Sequence, residues 1–390
     1  GNGRRVVRAG FRVPMGRVAA ALAAGALAAT VLAGPAEPAA GGPPDPAVTA
    51  TVFADQPTTP EYRVTNGYTA VSTGGAVTVR RTGTGAYTVI LDGAGTRGGV
   101  AHVVAYGGGP VHCTLAGWFP TLLDGEDQLI LVRCFAATGA PVDSRFVATF
   151  TAARSIHQGR LAWFVTDQAA PEIGLRTLTG PYTYDSTGGT VAYRRLSTGV
   201  YEFDMNDNPP SEYEGPYFPM VHVTAVATTA VNCQIDAADR WNVRCANAAG
   251  RPTDARFAVT YGMRVDLLGQ SAGPRFASGT LYGEEIDEGG IWGDSYNSTL
   301  PGYGGTSGTL LGTGRYAWAA HDTGAAFGAA FVNAHLPEIR GYSQPQGHCV
   351  LASWSRSGVT DTVVRVNCYA WLGVPANLNA RISYTTWPAP

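Results

Sequence analysis

The stretch Gly83-Thr-Gly-Ala-Tyr87 occurs three times in this chain, and it decides how the rest of the sequence is interpreted. It returns as Ser197-Thr-Gly-Val-Tyr201 and as Gly312-Thr-Gly-Arg-Tyr316, so the three tyrosines stand 114 and 115 residues apart. Similarity at a fixed spacing of this size indicates a repeated structural unit. We therefore predict three tandem repeats of about 115 residues, at 49–150, 160–261 and 279–385.

Further landmarks recur around these tyrosines. Upstream, Ser72-Thr-Gly-Gly75 matches Ser186-Thr-Gly-Gly189, and downstream Gly139-Ala-Pro-Val-Asp143 matches Gly250-Arg-Pro-Thr-Asp254. A looser third copy of the second pattern is Gly373-Val-Pro-Ala-Asn377. The agreement extends across most of the first two repeats, while the third has drifted upstream of its tyrosine, so the tyrosine stretch is not an isolated coincidence.

The segments between these landmarks predict an all-β fold. Short runs such as Tyr87–Val89 and Phe257–Tyr261 show a period of two, are rich in β-branched and aromatic residues, and are bounded by Gly, Pro or Asp, which is typical of strands. We expect about eight antiparallel strands in each repeat and no amphipathic helix. Two arrangements remain open: a six-bladed propeller-like ring, in which each repeat supplies two four-stranded halves, and three tandem β-sandwiches.

The first residues have the pattern of an export signal. Five arginines precede the apolar run 18–33, which is followed by small residues, so we interpret residues 1–36 as a signal peptide and 37–48 as a disordered leader. The apolar run has sixteen residues, fewer than the roughly 20 that span a bilayer core. We expect cleavage, a secreted extracellular protein, and no membrane span afterwards.

Six cysteines are distributed as two per repeat. Export to an oxidising compartment favours disulfides, so we predict one bridge within each repeat. The predicted pairs are Cys113 with Cys134, Cys233 with Cys245, and Cys349 with Cys368.

Together, the Gly-x-Tyr-x-Val strand, the Val-Thr-Ala strand, the cysteine pair and the Gly-x-Pro-x-Asp turn carry a family resemblance. The chain resembles modules in uncharacterised exported proteins of high-GC bacteria, over residues 50–385. The resemblance implies export and β-repeats. It implies no activity and assigns no functional residue.

Composition and motifs argue against several classes of function. Removal of residues 1–36 leaves 22 arginines against 29 carboxylates, a net charge of about −7 that disfavours nucleic-acid binding. The Gly-x-Ser-x-Gly pattern at 269–273 is followed at once by Pro274, although a nucleophile elbow requires a helix there. His112 and His348 each precede a cysteine, which we interpret as part of a disulfide framework. We predict no metal, no cofactor and no catalytic residue.

One segment of the third repeat has no counterpart in the other two, and we single it out as the candidate ligand site. Carboxylates next to aromatic rings could bind a sugar by hydrogen bonding and stacking, or perform acid–base chemistry. We expect a non-enzymatic binding protein whose loops recognise a polysaccharide or another cell-surface ligand. A secreted glycan hydrolase and a structural envelope protein are the alternatives, and the sequence gives no oligomeric state. The candidate residues are Tyr282, Glu284, Glu285, Asp287, Trp292 and Tyr296.

Overall fold

The regular structure of the described chain is almost entirely β-strand, and no α-helix occurs in it. The computed structural model describes residues 47–387 apart from 122–124, 155–158, 173, 206–218, 237–240, 271–274, 284–294, 301–304, 325–327 and 337–345. The predicted signal peptide and most of the predicted leader fall outside these residues. The part of the chain that is described holds no apolar helix of bilayer-spanning length.

Twenty-six strands are described, and they divide among three successive segments of the sequence. The first segment supplies β1 Thr49–Ala54, β2 Glu61–Arg63, β3 Ala70–Val71, β4 Val77–Gly83, β5 Ala86–Leu91, β6 Val100–Tyr106, β7 Val111–Pro120, β8 Gln128–Ala136 and β9 Arg145–Thr151. The second supplies β10 Arg160–Val165, β11 Arg176–Leu178, β12 Thr183–Asp185, β13 Val191–Ser197, β14 Val200–Met205, β15 Met220–Val226, β16 Val231–Asp236, β17 Asn242–Asn247 and β18 Arg256–Met263. The third supplies β19 Phe276–Leu281, β20 Ser295–Asn297, β21 Thr306–Gly312, β22 Arg315–Ala320, β23 Gly328–Leu336, β24 Gly347–Ser357, β25 Asp361–Ala370 and β26 Asn379–Thr386, with a 3-10 turn at Trp371–Gly373 before β26.

Each copy of the repeated stretch, such as Gly83–Tyr87, forms the tight turn of a hairpin. The structure explains why its central glycine recurs. Gly85, Gly199 and Gly314 each have a positive φ, of 63°, 67° and 67°. An added Cβ would lie 2.4 Å from a backbone carbonyl oxygen at each of them. Only glycine adopts this conformation readily and leaves room for the neighbouring strand. The tyrosine two residues later is fully buried in all three hairpins.

The strands pair into three large sheets. Their orders are β21-β22-β25-β24-β6-β9-β1-β3, β12-β10-β18-β15-β7-β8-β5-β4-β2 and β11-β13-β14-β17-β16-β23-β26-β19-β20. Each sheet contains strands of two sequence segments, joined by one parallel pair: β24 with β6, β15 with β7, or β16 with β23. The other pairs among the described strands are antiparallel.

The all-β prediction is therefore confirmed, but the finer architecture is not. Eight or nine strands share each sheet, none of the sheets is closed, and the expected six four-stranded blades do not appear in the order of the described strands. Two segments share every sheet, so the strand pairing also does not separate the segments into independent sandwiches.

All three predicted disulfides are confirmed. Each joins residues that lie directly opposite each other on paired antiparallel strands, with Cα atoms 4.0 to 4.1 Å apart. The bridges therefore fix the register of β7 with β8, β16 with β17, and β24 with β25. The described chain contains no free cysteine.

Where β6, β15 and β23 approach one another, two fully buried histidines link the sheets. His102 contacts Thr224 Oγ1 through Nδ1 at 3.0 Å and Thr260 Oγ1 through Nε2 at 2.8 Å. The ring of Phe331 lies 5.8 Å from that of His102 and 5.0 Å from that of His222, measured between centroids.

His222 makes the same kind of contacts one segment further along the chain. Its Nδ1 and Nε2 lie 2.8 Å from Asn333 Oδ1 and 2.6 Å from Ser383 Oγ. Burial lowers the pKa of His222 to about 3 and holds the pKa of His102 well below its ordinary value. Both rings are neutral at pH 7 and serve as hydrogen-bonded parts of the core.

A second recurring element is an aspartate that closes each of the first two hairpins. Asp143 accepts hydrogen bonds from the Gly85 N–H at 2.9 Å, the Tyr87 hydroxyl at 3.1 Å and both Nε and one terminal nitrogen of Arg81 at 2.9 Å. Asp254 accepts the equivalent set of hydrogen bonds from Gly199, Tyr201 and Arg195. The third hairpin keeps the backbone contact alone, from the Gly314 N–H to Asn377 Oδ1 at 2.8 Å.

Candidate functional site

The sequence-predicted ligand segment is only partly described. Glu284, Glu285, Asp287 and Trp292 lie outside the described residues, so the glycan-hydrolase alternative that depends on their carboxylates stays a prediction. Tyr296 lies on β20 opposite Ser278, with its ring 5.6 Å from that of Phe276. Tyr282 lies four residues beyond Ser278, about 13 Å along the chain at the rise of a strand. The strand register therefore places Tyr282 four positions further along the chain than the residue paired with Tyr296.

A cluster of aromatic side chains lies at the parallel junction of β24 with β6. Phe53 is buried at its centre, and Tyr68, Tyr106 and Trp354 surround it; we call these four residues the aromatic cluster. Its rings meet edge to face, with centroids 4.7 to 6.2 Å apart and interplanar angles of 63° to 88°. Edge-to-face contacts at these distances are favourable and hold the rings in fixed orientations.

The cluster is accessible from outside. Tyr68 is 40% exposed, and Tyr106 and Trp354 are half-buried. The indole N–H of Trp354 donates to the carbonyl of Gly328 at 3.1 Å, which anchors the ring without covering it. Three aromatic side chains thus reach the surface on a rigid base.

A cleft of about 230 Å³ opens on the other side of Tyr106, and we call it the Tyr106 cleft. The Arg145 guanidinium lies 5.0 Å from the centre of the Tyr106 ring and is exposed. Among the described residues no carboxylate forms an ion pair with Arg145, whereas the nearby Asp143 is already paired with Arg81. The cleft therefore presents one uncompensated cation next to an aromatic ring. Its lining consists of Pro57, Ala105, Tyr106, Gly107, Gly109, Val111, Asp143, Ser144 and Arg145.

The corresponding place in the second segment differs. Tyr106 lies opposite Arg145 across β6 and β9, and Val226 lies opposite Arg256 across β15 and β18. Arg256 is half-buried and donates to the Thr166 carbonyl at 2.7 Å, so it is not available to a ligand in the same way. The combination of an exposed arginine with a tyrosine is specific to the first of these two places.

A second arrangement lies near the edge strand β21 and was not predicted from the sequence. The Ser307 hydroxyl is 3.1 Å from His321 Nε2, and His321 Nδ1 is 2.9 Å from Asp361 Oδ2. With Nδ1–H donating to the carboxylate, Nε2 is left to accept the serine proton. This is the order of contacts that activates a serine nucleophile.

A structural role explains part of this arrangement. Asp361 Oδ1 also accepts the backbone N–H of Asp322 at 3.1 Å, and in the first segment Asp127 accepts the N–H of Gly93 at 2.9 Å in the same way. The hydrogen bond from His321 is the main cause that lowers the pKa of Asp361. The aspartate therefore holds a turn in both segments, while Ser307 and His321 are additions of the third.

Neither place carries a sequence motif that would have revealed it. Ser307, His321 and Asp361 are spread over 55 residues and match no nucleophile pattern, and the aromatic cluster joins residues from opposite ends of the chain.

The described residues contain no group of three or more His, Cys, Asp or Glu side chains arranged to hold a metal ion. Comparisons with protein-family models, curated proteins and solved structures found no match.

Proposed function

We propose that this chain is an exported, non-enzymatic binding protein that holds a polysaccharide at the aromatic cluster and the Tyr106 cleft. The proposal rests on one observation: three surface-reaching aromatic rings, fixed edge to face, adjoin a cleft that contains an unpaired arginine. Aromatic faces bind the apolar faces of sugar rings, and a guanidinium recognises carboxylates through paired hydrogen bonds. An acidic polysaccharide fits both features.

A finer architecture belongs to this proposal. We infer three structurally equivalent units that share their sheets in cyclic order, the first with the second, the second with the third, and the third with the first. The order of strands in the three sheets and the three parallel junctions support it. Such an arrangement leaves each junction free to diverge, so that one junction can bind a ligand while the others remain structural.

Export is likewise part of the proposal. Three disulfides support an extracellular location because such bridges form and persist in oxidising compartments. The arginine-rich start of the chain and the apolar run after it, seen in the sequence, point the same way.

Affinity electrophoresis in gels that contain a neutral or an acidic polysaccharide tests the binding function. We expect the acidic polymer to retard the protein. Tyr106→Val introduces the residue found at the equivalent position 226, and it should weaken binding about 2- to 12-fold, since aromatic contacts contribute about 0.5 to 1.5 kcal/mol. Arg145→Gln should abolish the preference for the acidic polymer.

Tyr182→Ala is the matched control. Tyr182 is 38% exposed and meets Trp118 edge to face at 6.2 Å, much as Tyr68 meets Trp354, but it lies at another junction. We expect this variant to bind as the wild type does. If no polysaccharide retards the protein, or if Tyr106→Val and Tyr182→Ala have equal effects, the proposed function is wrong.

The Ser307–His321–Asp361 contacts support a second candidate function, hydrolysis of an ester. Ser307 Oγ would attack the ester carbonyl and pass its proton to His321 Nε2, which returns it to the departing alcohol. Water would then hydrolyse the acyl-serine with the same histidine as base. A fluorophosphonate probe that labels wild type but not Ser307→Ala or His321→Asn would support this candidate.

Ser197→Ala controls for exposed strand serines, because Ser197 also lies on the protein surface and no histidine among the described residues is bonded to it. The probe should label this variant as strongly as the wild type. An unlabelled wild-type protein would rule out the esterase candidate without affecting the binding proposal.

A further inference from the structure

Two buried histidines meet close to the disulfides of the first and third segments. His112 directly precedes Cys113, and His348 directly precedes Cys349. Each imidazole lies against the aromatic residue opposite it on the neighbouring strand: His112 against Phe135 at 5.6 Å and His348 against Tyr369 at 5.8 Å, between centroids. The disulfides fix the register of these strand pairs, so both rings are held in place. The centroids of the two imidazoles are 5.5 Å apart.

These rings lack the hydrogen bonds that buried imidazoles normally make. Both residues are 5% exposed, and within the described chain His112 Nε2 and both ring nitrogens of His348 have no hydrogen-bond partner. A buried polar group without a partner costs about 1 to 3 kcal/mol. His102 and His222 are buried at least as deeply, yet every one of their ring nitrogens is bonded to a side chain. Among these four buried histidines, the missing partners are therefore particular to His112 and His348.

The spacing of the two rings fits a shared metal ion. A metal about 2.0 to 2.1 Å from one nitrogen of each imidazole lies about 3 Å from each ring centre, so two such rings have centres about 5 to 6 Å apart. The observed separation of 5.5 Å falls in this range. Imidazole is a preferred ligand of zinc, nickel and copper.

The second segment supplies a third residue at the same place. Asn232 precedes Cys233 as His112 precedes Cys113, and its Nδ2 donates to the carbonyl of Gly347, the residue before His348, at 2.9 Å. Asn232 is half-buried, unlike the two histidines, so an ion would enter the site past its side chain.

We propose that His112 and His348 bind a divalent transition-metal ion such as Zn²⁺, Ni²⁺ or Cu²⁺, with Asn232 at the third position and water completing the coordination. The site is independent of the Tyr106 cleft and does not rest on the proposed binding function. It links the first and third segments through side chains of strands that belong to different sheets.

Isothermal titration of the untagged full-length chain with ZnCl₂, NiCl₂ and MgCl₂ tests the proposal. We expect one zinc or nickel ion to bind and magnesium not to bind. His112→Asn and His348→Asn should each weaken binding at least tenfold, and asparagine is a conservative choice because it already occupies the third position. Asn232→His supplies a third imidazole and should strengthen binding at least tenfold.

His321→Asn is the control for adventitious binding, because His321 is a partly exposed histidine that is already bonded to Asp361. This variant should bind metal as the wild type does. The proposal is overturned if zinc and nickel do not bind, if His112→Asn and His348→Asn retain full affinity, if Asn232→His brings no gain, or if affinity falls with His321 instead. A thermal-melting scan without metal verifies that each variant is folded.

Discussion

Replacing Asp143 with asparagine removes the anionic partner of Arg81 while preserving the shape of the hairpin around Tyr87. The new side chain could still accept the Gly85 N–H, as Asn377 accepts the Gly314 N–H in the third hairpin. What disappears is the charge assistance: Arg81 loses its acceptor at Oδ2, and its other 2.9 Å hydrogen bond, which shares Oδ1 with the Gly85 N–H, is left with a neutral acceptor. The perturbation thus isolates the ion pair from the backbone contact.

The expected loss is about 1 to 2 kcal/mol in the free energy of unfolding. Hydrogen bonds to charged groups contribute about 1.5 to 3 kcal/mol, and solvent screening reduces this for side chains that are 28% and 20% exposed. The Arg81 hydrogen bonds are the main cause that lowers the pKa of Asp143. Their contribution is therefore complete above the ordinary pKa of 3.8 and is lost as pH falls through the lower folded-state value.

The third hairpin supplies the control for this prediction. Leu310 lies opposite Tyr316 where Arg81 lies opposite Tyr87, so an asparagine and a leucine there replace the aspartate and the arginine. We expect the double variant Arg81→Leu with Asp143→Asn to lose no more stability than the worse single variant, a coupling of about 1 kcal/mol. Urea unfolding of all four proteins at pH 7 measures it. Strictly additive losses would refute the view that arginine and aspartate act as one unit.

Three further predictions concern the bridges, the hairpin glycines and the buried histidines (His102, His112, His222 and His348). Replacing Cys113 and Cys134 with alanine should lower the unfolding free energy by about 3 kcal/mol, since the bridge joins residues 21 positions apart in the chain. Urea titration with and without reductant measures this loss, and equal stability of variant and wild type would contradict it. Gly85→Ala should lower the free energy of unfolding by about 2 kcal/mol or more, and Gly93→Ala by only about 1 kcal/mol. Both glycines have a positive φ, but only at Gly85 does the added Cβ meet a backbone oxygen. Equal shifts of the two melting temperatures would contradict this. Between pH 6.5 and 5, stability in the presence of EDTA should fall by about 1 kcal/mol per pH unit for each buried histidine, because their lowered pKa values leave the unfolded chain with more bound protons. Asp266, with a pKa raised by burial to about 6, offsets part of this loss. Urea midpoints that do not change with pH would refute the prediction.

Local sequence patterns were sufficient for the strands and the bridges. The glycine and tyrosine of each hairpin recur because a positive φ, a close backbone contact and a buried ring are required there, and these needs are satisfied within one hairpin. The cysteines could be paired because each pair lies on two adjacent strands. Both features depend on residues that are near one another in the chain.

The sharing of sheets between segments could not be predicted in this way. The junction of β15 with β7 joins Val226 to Leu115 in parallel, across 111 residues, and nothing in either strand's alternation specifies that partner. Trp354 illustrates the consequence. Trp354 stands five residues after a cysteine, as the buried Trp118 does, yet it is half-buried at a junction where Tyr68 and Tyr106 join it at the surface.

Some differences between the aligned segments change two interacting residues together, and others change one group without changing its partner. We take the first kind as structural and the second kind as a candidate for function. The exchange of the arginine and aspartate for Leu310 and Asn377 removes both members of an ion pair, so the hairpin keeps its contacts and no new chemistry results. The exchange at Tyr106 and Arg145 is of the second kind, because no other change among the described residues neutralises the exposed guanidinium. His112 and His348 likewise have unpaired nitrogens that no described neighbour satisfies. Buried polar atoms without a partner also occur elsewhere in the described chain, such as the Tyr261 hydroxyl and Trp318 Nε1, so the position of these groups is what matters. A cation in an open cleft, or two imidazoles within reach of one ion, leaves room for a ligand that supplies the partner.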